Sequence, residues 1–109
     1  MAAKKTAKKT ASGTPYVVVR SRDAGVHAGW LVSHDGHGTV DLRDSRRIWR
    51  WRGARTLSEV SQTGIGSAAF NGYTRVAEPV PTATIIGACE ILVCTPLARA
   101  TIESAGWAP

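Results

Sequence analysis

The sequence predicts a small, mainly β domain: a curled antiparallel sheet or a β-barrel with two short helices. Three observations carry that expectation. Tyr16–Arg20 is a short β-branched run, and Val26–Ser33 alternates apolar and polar residues as a half-buried strand does. Asp35-Gly36-His37-Gly38 joins two such runs, and its glycines supply the positive φ that tight hairpins require. Helix-start chemistry is confined to Thr56–Glu59, a capping-box pattern, and Thr95-Pro96, with proline at the first helical position.

The 109 residues and 11.6 kDa suit one domain. Residues 1–14 carry Lys4, Lys5, Lys8 and Lys9, no acidic group and almost no apolar surface. Such a segment cannot offset its ordering entropy, so it reads as a disordered tail preceding a domain over 15–109. Either the tail contacts nucleic acid through its lysines or it only solubilises the terminus. No apolar stretch is long enough to cross a bilayer, no apolar segment follows the lysines as in a secretory signal, and two cysteines do not make a disulfide scaffold. No membrane partner is expected.

Within the domain, Tyr16–Arg20 is the first strand and Arg22–Gly25 a turn. The second strand places Val26, Ala28, Trp30 and Val32 on one face. Thr39–Arg43 returns with Val40 and Leu42 inward. Residues 46–52 read as a third strand of the meander, with Arg47, Trp49 and Trp51 on one face and Arg46, Ile48, Arg50 and Arg52 on the other. A helix opens at Thr56 and runs to about Gln62, and Gly64 and Gly66 stop it. Residues 64–72 form a glycine-rich loop, and Tyr73–Val76 an edge strand ended by Pro79 and Pro81. Residues 82–94 are β-rich and bend at Gly87, and a last helix runs from Pro96 to about Ser104.

Chemistry concentrates in Arg43–Arg55, which holds six arginines and two tryptophans in thirteen residues. Arginine grips phosphate or carboxylate oxygens through a planar fork, and tryptophan offers a face for a base. The candidate ligand-binding residues are therefore Arg46, Arg47, Trp49, Arg50, Trp51 and Arg52. Core packing is the competing role for the tryptophans, whereas four arginines cannot all be buried unpaired. Ten basic against eight acidic residues remain outside the tail, too small an excess for extended phosphate tracking. A small phosphate-bearing ligand with one aromatic base fits better, in a pocket completed across a homo-oligomer interface.

No other constellation competes. Cys89 and Cys94 fall on opposite faces of one strand and lack zinc spacing, so they read as reduced thiols. His27, His34, His37 and Asp35 surround a turn too loose to organise a metal. There is no nucleophile elbow, HExxH, P-loop or GxGxxG unit, and the carboxylates form no evident pair. The expectation is a binding protein rather than an enzyme, with no cofactor and no metal.

Three segments, YVVVRSRDAGVHAGWL, VDLRDSRRIWRWRGARTLSEVSQTG and YTRVAEPVPTATIIGACEILVCTPLA, resemble small uncharacterised proteins of tailed bacteriophages and prophages. Their shared pattern is VRxxxAGVxxG, then ARRIWxWxGAxTLSE, then EPV…EIxxC, matched over about residues 16–103 with Ser45 where alanine is usual. The resemblance implies phage origin. On that origin the expected function is an accessory, counter-defence protein acting in the host bacterial cytoplasm. It would sequester a nucleotide-type immune signal, with Arg46, Arg47, Arg50 and Arg52 on phosphates and Trp49 or Trp51 on the base. The alternative is a structural or accessory virion protein whose basic tail contacts nucleic acid or a neighbouring subunit. A DNA-associated regulator anchored by the tail is a third class.

Overall fold

A computed structural model describes residues 14–66 and 73–107. The lysines of the tail and most of the glycine-rich loop lie outside the described residues. The elements are β1 (Tyr16–Ser21), β2 (Gly25–His34), β3 (Thr39–Arg50), α1 (Leu57–Thr63), β4 (Arg75–Val76), β5 (Val80–Ile86), β6 (Ala88–Val93) and α2 (Pro96–Ser104). All six strands belong to one antiparallel sheet in the order β4-β3-β2-β1-β6, with β5 also paired to β3. The long β3 is shared along its outer edge. Its first half pairs with β5 from Thr39 to Ser45, and its last residues pair with β4 at Ile48 and Arg50. No ladder joins β5 to β6 among the described residues, so the sheet curls without closing into a barrel.

Each face of the sheet buries its own core. Tyr16, Val18, Ala28, Ile48 and Val76 pack under the helices against Leu57, Val60 and Ile102. Val17, Val19, Val40, Leu42 and Ile85 form the second cluster, on the face away from the helices. The central strand β1 is therefore apolar at consecutive positions, because its two residue sets face two cores. Gly87, at φ 80°, sets the corner between β5 and β6.

Two irregularities mark the β2–β3 pairing, and the second shifts a sequence expectation. Asp44 and Ser45 together oppose the single Gly29, and Asp44 adopts φ 52°, the one non-glycine positive φ among the described residues. This bulge reverses which face β3 buries, from Val40 and Leu42 on one side to Arg46 and Ile48 on the other. Val32 has no partner in the β2–β3 register and is exposed, so it leaves the face it was expected to share with Trp30.

The helices begin where the capping chemistry predicts. Thr56 Oγ1 accepts from the Glu59 amide at 3.2 Å, while the Glu59 carboxylate accepts from the Arg55 amide at 2.6 Å. Thr95 Oγ1 accepts from the Ala98 amide and donates to the Gln62 carbonyl, so one side chain caps α2 and ties it to α1. Gly64 ends α1 at φ 85° with the Thr101 side chain directly against it; a Cβ there would lie 2.9 Å from Thr101 Cβ and closer still to Oγ1. Gly64→Ala combines strained backbone with overpacking, so it is expected to destabilise by about 2–4 kcal/mol. Urea denaturation measures that loss.

His27 is buried, its Nε2 2.8 Å from the Ala24 carbonyl oxygen, and burial lowers its pKa below the usual 6.5. The unfolded chain then takes up a proton near pH 6.5 while the folded chain does not, so stability falls as pH drops below that value. Tm is expected to decline between pH 7 and pH 5, and His27→Gln should flatten that decline.

Candidate functional site

The arginine and tryptophan run does not act as one surface. Arg46 is 8% exposed and spends every guanidinium N–H inside the protein. Nε donates to the Ala77 carbonyl at 2.8 Å, and Nη1 donates to Ile102 and Glu103 at 2.9 Å each. Nη2 donates to Ala105 at 3.0 Å and to Val76 at 3.5 Å. These carbonyls belong to the end of α2 and to the chain at β4. Arg46 therefore clamps the helix terminus to the sheet and offers no free donor, which removes it from the expected ligand set. Arg47 is exposed, stands opposite His27 in the β2–β3 register and makes none of the ring contacts described below.

The tryptophans also separate. β3 carries an irregularity between Ile48 and Arg50, and Trp49 is the residue left without a β4 partner. A bulge re-aims its extra side chain, and Trp49 projects outward, 57% exposed. Trp51 lies beyond the strand end, packs half-buried against the helix-side core and donates from Nε1 to the Ala54 carbonyl at 3.1 Å. Strict alternation had placed Trp49 and Trp51 on one face; the bulge and the strand end undo it.

Trp49 instead meets Trp107, which sequence reasoning missed. The rings stack at 5.3 Å between centroids and 14° between planes, and Trp107 is itself 48% exposed. The Arg50 guanidinium lies 4.4 Å from the Trp49 centroid and 4.5 Å from that of Tyr73, and Arg52 lies 4.5 Å from Tyr73. The contacts form a continuous column of Trp107, Trp49, Arg50, Tyr73 and Arg52. Arg50 Nε also donates to the Tyr73 carbonyl at 2.7 Å. Trp107 reaches the column because Gly106 accepts from the Val76 amide and Arg46 holds Ala105. No local pattern near residue 107 signals this, since the contact joins chain segments more than fifty residues apart.

Beside the column runs a shallow groove of about 310 Å³ lined by Trp49, Arg50, Trp51, Ala54, Arg55 and Tyr73. Among the described residues no carboxylate lines it. Glu59, outside the lining, pairs with Arg55 at 3.2 Å, and Arg55 holds the Glu59 carboxyl below its usual range. Arg75 stands directly opposite Arg50 in the β3–β4 register. Like charges so placed repel, so this end of the sheet gathers cations at an energetic cost.

The opposite kind of surface lies elsewhere. A cleft of about 460 Å³ is walled by Tyr16, Trp30, Asp44, Glu78 and Glu103, with Arg46 beneath. Its carboxylates disfavour an anion, and Arg46 brings charge there without a free donor. Burial pushes the Cys94 thiol up to about 12, and Cys89 is exposed, so the two thiols share no site. Among the described residues no cluster of His, Cys, Asp or Glu could hold a metal ion, and no helix is long and apolar enough to cross a membrane.

Fold and site together define a curled-sheet domain with an exposed aromatic and arginine column at one end. Residues 14–102 match the family described as Domain of unknown function (DUF6948), and the chain belongs to that family. No curated protein and no solved structure matches the chain.

Proposed function

We propose that this domain is a non-catalytic binding module for a phosphate-bearing ligand that carries an aromatic base. One observation carries the reading: Trp49 and Trp107 stay about half exposed while stacked, beside Arg50 and Arg52 and a groove that no carboxylate lines among the described residues. Exposed rings of this size cost apolar hydration, and unneutralised guanidinium groups repel one another. A ligand with a base and phosphates removes both costs at once. The binding set is then Trp49, Trp107, Arg50, Arg52 and Tyr73, with Trp51 in the groove floor.

With the phage origin that the motif pattern implies, the role is sequestration of a host nucleotide-type signal. Holding such a ligand requires no chemistry from the protein. The test is native mass spectrometry of the full chain against a panel of nucleotides. A stoichiometric mass shift with at least one of them supports the reading, and the same spectrum gives the oligomeric state. A chain that keeps its bare mass with every nucleotide overturns it.

A further inference from the structure

We propose that the cleft walled by Tyr16, Trp30, Asp44, Glu78 and Glu103 is a second binding site, one that takes an alkylammonium group of the kind a lysine side chain carries. It is independent of the column and recognises the opposite sign of charge.

The cleft measures about 460 Å³, and three carboxylates reach its wall. Arg43 pairs only with Asp44, at 3.7 Å, while Glu78 and Glu103 enter no ion pair among the described residues. Arg46 lies beneath, but its N–H groups are spent on backbone carbonyls. Three carboxylates thus face the two guanidinium groups of Arg43 and Arg46, which leaves one negative charge without a counter-charge. Arg99 stands apart, lining a neighbouring hollow with Cys94 and Pro96.

The second observation does not depend on the acids. Tyr16 is 5% exposed and walls the same cleft, yet its buried hydroxyl has no hydrogen-bond partner among the described residues. A buried phenol in that state is uncommon, because the desolvated oxygen costs stability until a partner meets it. Burial raises the Tyr16 pKa and the Glu103 carboxylate raises it further, so the phenol stays neutral within the field of that acid. An oxygen acceptor beside an unpaired carboxylate suits a cationic N–H donor.

The walls also select the kind of cation. Among the described residues no group of three His, Cys, Asp or Glu could hold a metal ion. A guanidinium pairs best with one carboxylate through its flat fork, whereas an ammonium points three N–H groups at separate acceptors. Arg43 and Arg99 already lie over the Trp30 ring, at 5.7 and 5.2 Å. The incoming head therefore goes to the acids, and its aliphatic stem lies along Pro79.

Lysines are at hand in this chain. Lys4, Lys5, Lys8 and Lys9 precede Thr14, which lines the neighbouring hollow together with Tyr16 and Trp30. Cleft and hollow share those two rings. The five residues from Lys9 to Thr14 span up to about 17 Å when extended. A lysine tethered so closely acts at an effective concentration on the order of millimolar, and a free amine of the same chemistry must compete with it.

NMR of the ¹⁵N-labelled full chain, titrated with n-butylammonium chloride, tests the proposal. Tetramethylammonium chloride at equal ionic strength supplies a cation without N–H groups. The Trp30 indole signal is expected to shift saturably with n-butylammonium and about threefold less or weaker with tetramethylammonium. Glu103→Gln should weaken n-butylammonium binding about two- to fivefold, the range of an exposed ion pair. Tyr16→Phe should weaken it about twofold or more, while Tm holds or rises because the unpartnered hydroxyl is gone. Diadenylate, a base-and-phosphate probe of the column, is expected to leave Trp30 unmoved. Combining Lys4→Ala, Lys5→Ala, Lys8→Ala and Lys9→Ala separates the sources. Tighter n-butylammonium binding in that variant identifies the chain's own lysines as the occupant, and unchanged binding identifies a free amine. Equal shifts with the two cations, or no shift at Trp30 in either the full chain or the quadruple variant, would overturn the proposal.

Discussion

Arg46→Ala is expected to be the most damaging single substitution in the described residues, at about 3–5 kcal/mol. The change removes the guanidinium donor from five backbone carbonyls, those of Val76, Ala77, Ile102, Glu103 and Ala105, of which Ile102 keeps the Ala105 amide. Glu103 and Ala105 lie at the end of α2, where backbone carbonyls run short of partners inside the helix. In a domain of this size the loss corresponds to a fall in Tm of about 15 °C or more. Arg46→Lys keeps the charge but has three donors on a single nitrogen, so it should fall between wild type and alanine. Thermal denaturation of the three proteins decides the matter. A loss below about 1 kcal/mol for alanine would show that water replaces the clamp.

Trp49→Ala should do the reverse, weakening binding strongly and stability little. Its ring is mostly exposed, so truncation forfeits the Trp107 stack and the Arg50 contact, together about 1–2 kcal/mol of folding. For the ligand, Trp107 loses the ring it stacks on and Arg50 loses the surface that orients it. The expected effect on diadenylate affinity is about 10- to 100-fold, equivalent to about 1–3 kcal/mol. Titration calorimetry beside a melting curve separates the two effects. Unchanged affinity with a large drop in Tm would make the column a packing device.

Local chemistry made much of the fold legible. The hairpin at Asp35–Gly38 is where its glycines placed it, with Asp35 Oδ1 accepting from the His37 and Thr39 amides. Thr56 and Thr95 cap the two helices, and both helices end within a residue of where they were expected. These features depend on neighbours a few residues apart. Alternation failed at Val32 and between Trp49 and Trp51, where a register irregularity or the strand end interrupts the two-residue period.

The site was legible by composition but not by membership. A cluster of arginine and tryptophan marked residues 46–52 as unusual, and Trp49, Arg50 and Arg52 come together there. Arg46 looks the same in sequence, yet five carbonyls from distant segments claim it. Tyr73 and Trp107 lie far along the chain and join only through the β3–β4 pairing and the clamped end of α2. Nothing local distinguishes Trp107 from a stray aromatic near a terminus.

The most direct measurement of the central claim is the set of indole N–H signals in a ¹H–¹⁵N NMR titration with diadenylate. Four tryptophans report from separate places: Trp49 and Trp107 on the column, Trp51 in the groove floor, and Trp30 in the wall of the acidic cleft. Single Trp→Phe variants assign the four signals. The Trp49 and Trp107 indoles are expected to shift most on titration, with Trp30 unmoved. A shift confined to Trp30, or no shift at all, would contradict the account.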